Sequence, residues 1–330
     1  MMRAPRRESG VILIALLWIL VALSAIAMSF SREGFVEVAA ARNARDLSDA
    51  YYIARAGISI TVYQLLQKRF LPRVQQVDLS GPPDPLDLGR VTGSFGDGTY
   101  DVEVQDESGK INLNFVAEDQ LRALCEAVGI NRRDADIITD SVMDWRDVDN
   151  LHRMNGAEDD YYQTLRPPYR AKNGRMDTVE ELLLVRGVTP DYYHGHSEKA
   201  QDGSVIRRYG LSRYVTVYSI SPRINVNYAE LPVLLSVPGM PPQAAQAIYE
   251  RRKVKPFANP AEITQQLPVN LGPTTLPILS TDTTGTFTLT ARGQRAGSKV
   301  QRVIRTVVTL DPREPVRYKV IYWNENVPNL

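Results

Sequence analysis

Six carboxylate side chains lie within seventeen residues near the middle of this 330-residue chain. They surround a turn that also contains asparagine and glycine. A hard cation such as calcium takes six to eight oxygen ligands at about 2.3–2.6 Å, and a turn of this kind can bring several carboxylates and carbonyls together. The group is therefore a candidate calcium site, made of Asp144, Asp147, Asp149, Glu158, Asp159 and Asp160.

The spacing of these acids does not fit the twelve-residue calcium loop of EF-hands. Asp147, Asp149 and Glu158 fall at positions one, three and twelve of such a loop. Leu151 stands at position five, and His152 stands at position six, where the sharp turn needs glycine. Two interpretations stay open. One is a looser calcium loop, and the other is a solvated acidic turn in which Asp147 or Asp149 caps a helix.

Residues for other kinds of chemistry are scarce. Paired acids can act as general acid and base, but no nucleophile with a base and no phosphate-binding glycine loop is recognisable. Cys125 is the only cysteine, which excludes an intramolecular disulfide and disfavours a cysteine-based zinc site. The three histidines leave few routes to a histidine metal centre or a catalytic triad. The sequence therefore predicts a protein that is not an enzyme.

The overall composition is that of a folded protein of one large or two ordinary domains. There are 39 Lys+Arg against 38 Asp+Glu, a net charge of +1, and 43% hydrophobic residues. This balance excludes a disordered chain and disfavours a general nucleic-acid binder.

The elements that position the acidic turn follow an apolar amino terminus. Residues 11–30 contain no charge, and as a helix they would span roughly 30 Å, the thickness of a bilayer's hydrocarbon core. Arg3, Arg6 and Arg7 precede them, so the positive-inside rule keeps residues 1–10 in the cytoplasm and sends the rest across the membrane. The alternative is a cleaved secretory signal with residues 25–27 as its small-residue site, although no proline or glycine breaks the helix there.

The helical pattern continues beyond the apolar segment. Apolar side chains recur at steps of three and four through residues 31–70, and no proline occurs between Pro5 and Pro72. The sequence predicts one helix of about sixty residues, roughly 90 Å long, with a weak point at Gly57. The predicted apolar face of its second half consists of Leu47, Tyr51, Ala54, Ile58, Val62 and Leu65.

A short basic leader ending in glycine, then an apolar helix that becomes amphipathic, resembles the type IV pilins and the pseudopilins of type II secretion. In that class a prepilin peptidase cuts after the glycine and methylates the new amino terminus. The resemblance implies cleavage after Gly10 and methylation of Val11, with residues 1–10 removed.

The fifth residue of the mature chain departs from the pattern of that class. Most members have glutamate there, and Ala15 takes the position in this sequence. A carboxylate in the bilayer is costly unless it is paired. In the class, the glutamate is thought to pair with the amino-terminal ammonium group of a neighbouring subunit. A subunit without it suits the start of a fibre, with nothing above it.

The remainder of the chain alternates between strand-like and helix-like segments. Residues 79–98 are rich in glycine, proline and aspartate and are predicted as a loop, and helices dominate residues 118–184. Alternating β-rich runs predict strands over residues 100–105, 214–220, 286–291, 300–310 and 318–323, with residues 292–298 and 312–315 as connections.

A four-residue pattern occurs twice, as Ile-Asn-Leu-Asn at residues 111–114 and Ile-Asn-Val-Asn at residues 224–227. Each copy precedes a predicted helix–loop–helix, over residues 121–145 and 230–252. Asparagine before a helix is a favoured cap, because its side-chain oxygen accepts a free backbone N–H. The sequence therefore predicts a duplicated helical module.

The second module also resembles the helix-hairpin-helix motif of sequence-independent DNA binders. Residues 235–241 form the predicted hairpin and residues 251–253 are basic, with residues 185–188 as the corresponding hairpin of the other copy. Gly239 stands alone, however, and Pro241 and Pro242 have no N–H to offer a phosphate. Protein contact is the favoured interpretation.

These features extend the resemblance to the protein K family of minor pseudopilins. Residues 140–149, 156–158, 161–162, 168–169, 180–182 and 185–187 are similar to characteristic segments of that family. The resemblance implies an α+β fold with a pilin-like amino-terminal helix on a small antiparallel sheet. It also implies an inserted helical domain and two modules of the SAM-like or helix-hairpin-helix type. The implied segments are a leader (1–10), a transmembrane half-helix (11–30), an amphipathic half-helix (31–72), a loop with the first strands (73–110), an inserted domain (111–210), a strand with the second module (211–280) and carboxy-terminal strands (281–330).

For function, the resemblance implies a subunit that initiates or caps the tip of the periplasmic pseudopilus, which exports folded proteins across the outer membrane. It also implies calcium in the helical domain and a single span of the bacterial inner membrane. The implied partners are the other minor pseudopilins of the I, J and H types, the major pseudopilin, the prepilin peptidase and inner-membrane lipid. Two alternatives stay open: a membrane-anchored DNA-uptake protein, and a calcium-dependent hydrolase.

Overall fold

The computed structural model describes residues 9–70, 89–199, 203–266, 271–325 and 327. Its first element is helix α1, Ser9–Phe70, whose 62 residues confirm the predicted length. Lys68 and Arg69 lie in its last turn, where cations complement the helix dipole. All side chains of residues 12–45 are exposed, and the most apolar stretch has a mean hydropathy of 2.7. This part of α1 is long and apolar enough to cross a membrane.

The second half of α1 buries a stripe of small and branched side chains, as its periodicity predicts. Leu47, predicted in the stripe, is exposed, and Tyr51 is half-buried with its hydroxyl donating to Glu325 Oε1 at 2.8 Å. The helix runs through Gly57 without a break, so the predicted weak point is wrong. The stripe consists of Ala50, Ile53, Ala54, Ile58, Thr61, Val62 and Leu65.

Eleven strands occur in the described residues. Five of them form a sheet in the order β1-β2-β9-β10-β11, and the others form two-stranded pairs. The bounds are β1 Arg90–Phe95, β2 Gly98–Asp106, β3 Ile111–Asn112, β4 Gly195–Lys199, β5 Val205–Tyr209, β6 Val215–Thr216, β7 Ile224–Asn225, β8 Leu279–Ser280, β9 Thr286–Arg295, β10 Gln301–Leu310 and β11 Tyr318–Asn324.

Strand β1 corrects the prediction of a loop over residues 79–98, of which residues 79–88 lie outside the described part. It pairs with β2 in antiparallel register, with Gly93 opposite Tyr100. A Cβ atom at Gly93 would collide with the Tyr100 ring, and one at Gly57 would lie 2.8 Å from Tyr100 Cδ2. The two glycines therefore make room for one buried aromatic ring. Glycine also hides β1 from a search for β-rich residues.

Two further strands differ from their predicted bounds. Strand β9 continues to Arg295, so the connection predicted over residues 292–298 is shorter than expected. The strand predicted over residues 214–220 is reduced to the two residues of β6, which pair in parallel with β3. A strand of two residues is too short to require an alternating pattern of polar and apolar side chains. The length of β6 could therefore not be predicted from such a pattern.

The remaining helices all lie between β3 and β8. Residues 147–158 and 163–178 are irregular, so helix dominates less of the segment 118–184 than predicted. The helices are α2 Glu118–Ala127, α3 Arg132–Arg146, α4 Asp159–Tyr162, α5 Pro190–His194, α6 Leu231–Leu235, α7 Pro242–Val254 and α8 Pro260–Gln266, with a 3₁₀ turn at Val179–Leu184. One hydrophobic core joins them, and its most buried side chains include Leu121, Leu124, Ile138, Leu182, Leu234, Ile248 and Ile263.

The chain divides into two compact units. The limits of the units fall within strands β2, β9, β10 and β11, so each of these strands contributes residues to both. The first unit contains the described residues of Met1–Glu103, Thr290–Arg305 and Asn324–Leu330. The second contains those of Val104–Leu289 and Thr306–Trp323, and it holds the acidic turn.

The last asparagine of each Ile-Asn-x-Asn copy makes the same pair of hydrogen bonds to a distant backbone segment. Asn114 bonds the backbone N–H and carbonyl of Met176, at 2.8 and 3.0 Å. Asn227 bonds the same two groups of Phe257, at 2.8 and 2.9 Å. The prediction that residues 185–188 form the hairpin of the first module is wrong. Gly129, between α2 and α3, occupies the position that Gly239 has between α6 and α7. Gly129 and Gly239 both have a positive φ, of 93° and 72°.

Candidate metal centre

The acidic turn is an addition to the first module. We use the name acidic loop for residues 147–160. In the second module only four residues separate Arg252 from Phe257, whereas 29 separate Arg146 from Met176 in the first. The loop therefore lies where the repeated fold needs only a short connection. It begins directly after α3, whose last residue is Arg146 and whose C-cap is Asp147.

Three of the six predicted acids come together. Asp147, Asp149 and Glu158 each place a carboxylate oxygen within 4.8 Å of the other two. Glu158 is only 1% exposed, and neither of its carboxylate oxygens has a hydrogen-bond partner among the described residues. The same holds for Oδ1 of Asp147. Asp149 is exposed and accepts the Leu151 N–H at 2.9 Å.

Glu158, the buried member of this triad, has no positive group or hydrogen-bond donor on its carboxylate among the described residues. Burial, and then the nearby Asp144, Asp147 and Asp149 carboxylates, raise the pKa of Glu158 to about 7. Buried carboxylate oxygens without donors are rare, because their desolvation is costly. A hard cation would supply the missing partner, and water and backbone carbonyls can complete its oxygen shell. The donor set therefore fits calcium.

Asp144 belongs to a separate ion pair. It is fully buried, and Arg153 Nη1 lies 2.6 Å from its Oδ1. The backbone N–H of Arg153 donates to Asp144 Oδ2 at 3.0 Å. The same Nη1 lies 2.9 Å from Oδ2 of Asp147. Burial raises the pKa of Asp144, while hydrogen bonds from Arg153 oppose that shift. Asp144 thus already has a cation as partner.

Asp159 and Asp160 are engaged in local structure at the start of α4. Oδ1 of Asp159 accepts the Ala171 N–H at 2.8 Å, and Oδ1 of Asp160 accepts the Tyr161 N–H at 2.8 Å. Neither belongs to the triad. The six predicted acids therefore divide into three that face one another and three with other partners.

Two residues that the sequence analysis did not single out hold the loop. Arg153 joins Asp144 to Asp147, and Asp140 accepts the backbone and side-chain N–H groups of Asn155 at 3.0 Å. An arginine inside a run of acids was the available signal for the first. The second had none, because Asp140 is the ninth of the fifteen residues of α3 and lies fifteen residues before Asn155 in the chain.

The residues of the predicted processing site lie in α1. Gly10 and Val11 belong to the first turns of the helix, and their side chains are outside the described part of the structure. Ala15 is exposed in the apolar half. Their roles in processing and assembly stay predictions.

The second module offers little to a phosphate. Helix α7 begins at Pro242 and is preceded by Pro241, so its first turn lacks two N–H donors. Of the three basic residues that follow, Arg252 donates to backbone carbonyls, and Arg251 donates to the Lys255 carbonyl. Lys253 pairs with Glu250 at 2.9 Å.

The segments described above match known proteins. Two family models, both described as Type II secretion system (T2SS), protein K, match residues 104–195 and 224–278. The first match includes the acidic loop, and the second includes α6, α7 and α8.

Several known proteins that are similar to this chain carry the name Type II secretion system protein K. The protein from Pectobacterium carotovorum subsp. carotovorum is 37% identical over 33% of this chain and 35% of its own length. Those from Pseudomonas aeruginosa and Aeromonas hydrophila are 29% and 28% identical, over 52% and 58% of this chain. The alignments span 49% and 62% of the lengths of these two relatives. The chain thus spans about one third to three fifths of the length of these three relatives.

The fold also has a solved counterpart. A chain in the crystal structure of the GspK-GspI-GspJ complex from the enterotoxigenic Escherichia coli type 2 secretion system gives a TM-score of 0.58. Sequence identity is 17%, and the comparison covers 90% of this chain and 100% of that chain.

Proposed function

We propose that this chain is a member of the type II secretion system protein K family, and that it is a minor pseudopilin which starts or caps the periplasmic pseudopilus, because two family models of protein K match residues 104–195 and 224–278. The observation that carries the proposal is the exposure of the first part of helix α1. All its side chains over residues 12–45 are exposed. Residues 12–30 of this surface carry no charge, and an apolar surface of that length requires a membrane or neighbouring helices to cover it. The membrane would cover it before assembly, and neighbouring subunits of the pseudopilus would cover it afterwards.

Assembly with other minor pseudopilins follows from the same proposal. The solved complex with a similar fold contains GspI and GspJ, and we propose that proteins of these two types are the partners of this chain. Residues 107–285 lie between β2 and β9 in the chain and are additional to a pilin-like sheet, and we propose that their bulk prevents another subunit from stacking above. Ala15, in place of the usual glutamate, suits a first subunit.

Before assembly, we propose, the chain spans the inner membrane once. Its amino terminus is then cytoplasmic and the body, from β1 onward, is periplasmic. Cleavage after Gly10 and methylation of Val11 would release it for assembly. Protein K is a structural component of a secretion system, and we propose that this chain likewise has no catalytic activity.

Calcium binding by the acidic loop is part of the proposal. Asp147, Asp149 and Glu158 would hold the ion, and the unpartnered buried oxygens of Glu158 support this assignment most directly. When bound, calcium supplies positive charge to three close carboxylates. Asp147 follows α3 and Glu158 precedes α4, so by sharing an ion these two residues would tie the two ends of the loop together.

Co-purification tests the assembly proposal. The tagged full chain, co-expressed with the I-type and J-type minor pseudopilins, should retain both after detergent extraction. An unrelated single-span protein with the same tag serves as the control and should retain neither. Recovery of this chain without either partner would contradict the proposal. Salt-dependent binding to duplex DNA would instead support the DNA-uptake alternative.

A further inference from the structure

Arg153 is the cation nearest to the triad of carboxylates. Its Nη1 contacts Oδ2 of Asp147 at 2.9 Å, while Oδ1 of the same carboxylate has no hydrogen-bond partner among the described residues. Asp147 is therefore shared: one oxygen serves the guanidinium, and the other is available to a metal ion. This arrangement rests on the proposed calcium site.

The guanidinium is held firmly in place. It also contacts Oδ1 of Asp144 at 2.6 Å, and Asp144 is fully buried. A buried carboxylate that loses its only cation becomes strongly destabilising, so Arg153 cannot leave without cost. Its backbone N–H, bound to Asp144 as well, fixes the chain at this residue.

We infer that Arg153 is a built-in counter-cation of the acidic loop, which keeps the loop folded without calcium and weakens calcium binding. Two effects act in the same direction. The positive guanidinium repels a divalent ion one carboxylate away, and it uses an oxygen of Asp147 that could otherwise bind the ion. The site then belongs to the weak class of calcium sites, with a dissociation constant of about 10⁻⁴–10⁻³ M.

Calcium titration by calorimetry, on the full chain in detergent, tests this role. Arg153→Gln removes the charge but keeps N–H donors. We expect this variant to bind calcium at least about tenfold more tightly than the original chain, which is about 1.4 kcal/mol of binding free energy. Its calcium-free melting temperature should fall. Arg170→Gln is the matched control. Arg170 Nε lies 4.0 Å from Asp159 Oδ2 and makes no ion pair with the triad, so the affinity should change less than about twofold.

A double variant covers the case in which Arg153→Gln does not fold. Asp144→Asn with Arg153→Gln removes both charges of the buried pair, so that Asp144 is not left as a buried charge without its cation, and it should also bind calcium at least about tenfold more tightly. The inference is overturned if neither variant binds calcium more tightly than the original chain. If in that case the original chain still binds calcium, the proposed role of Arg153 is rejected and the calcium site is retained. If none of the three proteins binds calcium, the calcium site fails as well.

Discussion

Arg146 and Arg252 occupy equivalent positions in the two modules and make the same pair of contacts. Arg146 donates to the carbonyls of Leu113 and Val116, at 2.6 and 2.7 Å. Arg252 donates to those of Val226, at 2.8 Å, and Ala229. In each module the guanidinium closes the turn after the Ile-Asn-x-Asn pattern. Burial lowers the pKa of both groups, so the fold tolerates the desolvation of a charge at each place.

Loss of either arginine should destabilise the second unit. Arg252→Met leaves two carbonyls without their donor, and we expect the free energy of unfolding to fall by about 2–4 kcal/mol. Chemical denaturation of the full chain in detergent measures this. Arg133→Met, at an exposed position of α3, is the control and should change stability by less than about 0.5 kcal/mol. Equal stability of the two variants would show that the contacts of Arg252 contribute nothing.

Local signals account for what the sequence predicted well. The length of α1 follows from an uncharged run and an unbroken 3–4 periodicity, both of which are read from neighbouring residues. The repeat of Asn114 and Asn227 is visible for the same reason. The equivalence of Arg146 and Arg252 is not, because α2 and α3 are longer than α6 and α7, so that Arg146 follows Asn114 by 32 residues and Arg252 follows Asn227 by 25.

Tertiary contacts decided the rest. The EF-hand spacing distinguishes Glu158 from Asp159, but it does not show that Glu158 is buried without a donor or that Asp159 accepts a backbone N–H from Ala171. Strand β1 was hidden because Gly93 is required by Tyr100 across the sheet, in a pairing that only the register defines.

Calcium should raise the melting temperature of the chain. An ion that binds only the folded state adds about 2.7 kcal/mol at a hundred times its dissociation constant. Differential scanning calorimetry with calcium and with chelator measures the shift. Asp149→Asn should abolish most of it, and Asp160→Asn, outside the triad, should preserve it. An identical melting temperature with calcium and with chelator would count against the site.

The stability of the calcium-free chain should fall as the pH rises from about 5 to 7. The pKa of Glu158 is raised to about 7, so over this interval the folded chain keeps a proton that the unfolded chain releases. Above pH 7 both states are ionised there, and this contribution becomes constant. Saturating calcium should reverse the trend, because the ion binds the ionised carboxylate.

Glu158→Gln provides the matched test of that titration. Without calcium at pH 7.5 it should be more stable than the original chain, by roughly 1–3 kcal/mol, because no buried charge has to form. The decline between pH 5 and 7 should also flatten. If the variant keeps the same pH profile, another group is responsible for it.

Processing should depend on Gly10. Gly10→Leu should leave the chain at its full length in the membrane, because the resemblance to pseudopilins places the peptidase cut after this residue. Intact mass spectrometry of the purified chain measures the outcome. Gly34→Leu is the control, since a side chain at Gly34 meets open space within the same exposed helix, and it should mature normally. A Gly10→Leu chain that begins at Val11 would contradict the assignment.

The position of the chain in assembled fibres tests the central proposal most directly. Pseudopili sheared from cells that express the tagged full chain can be labelled with gold against the tag and imaged by electron microscopy. We predict a single label at one end of a fibre, because Ala15 and the inserted residues suit a first subunit. Labels at regular intervals along the fibre would contradict a role at the tip.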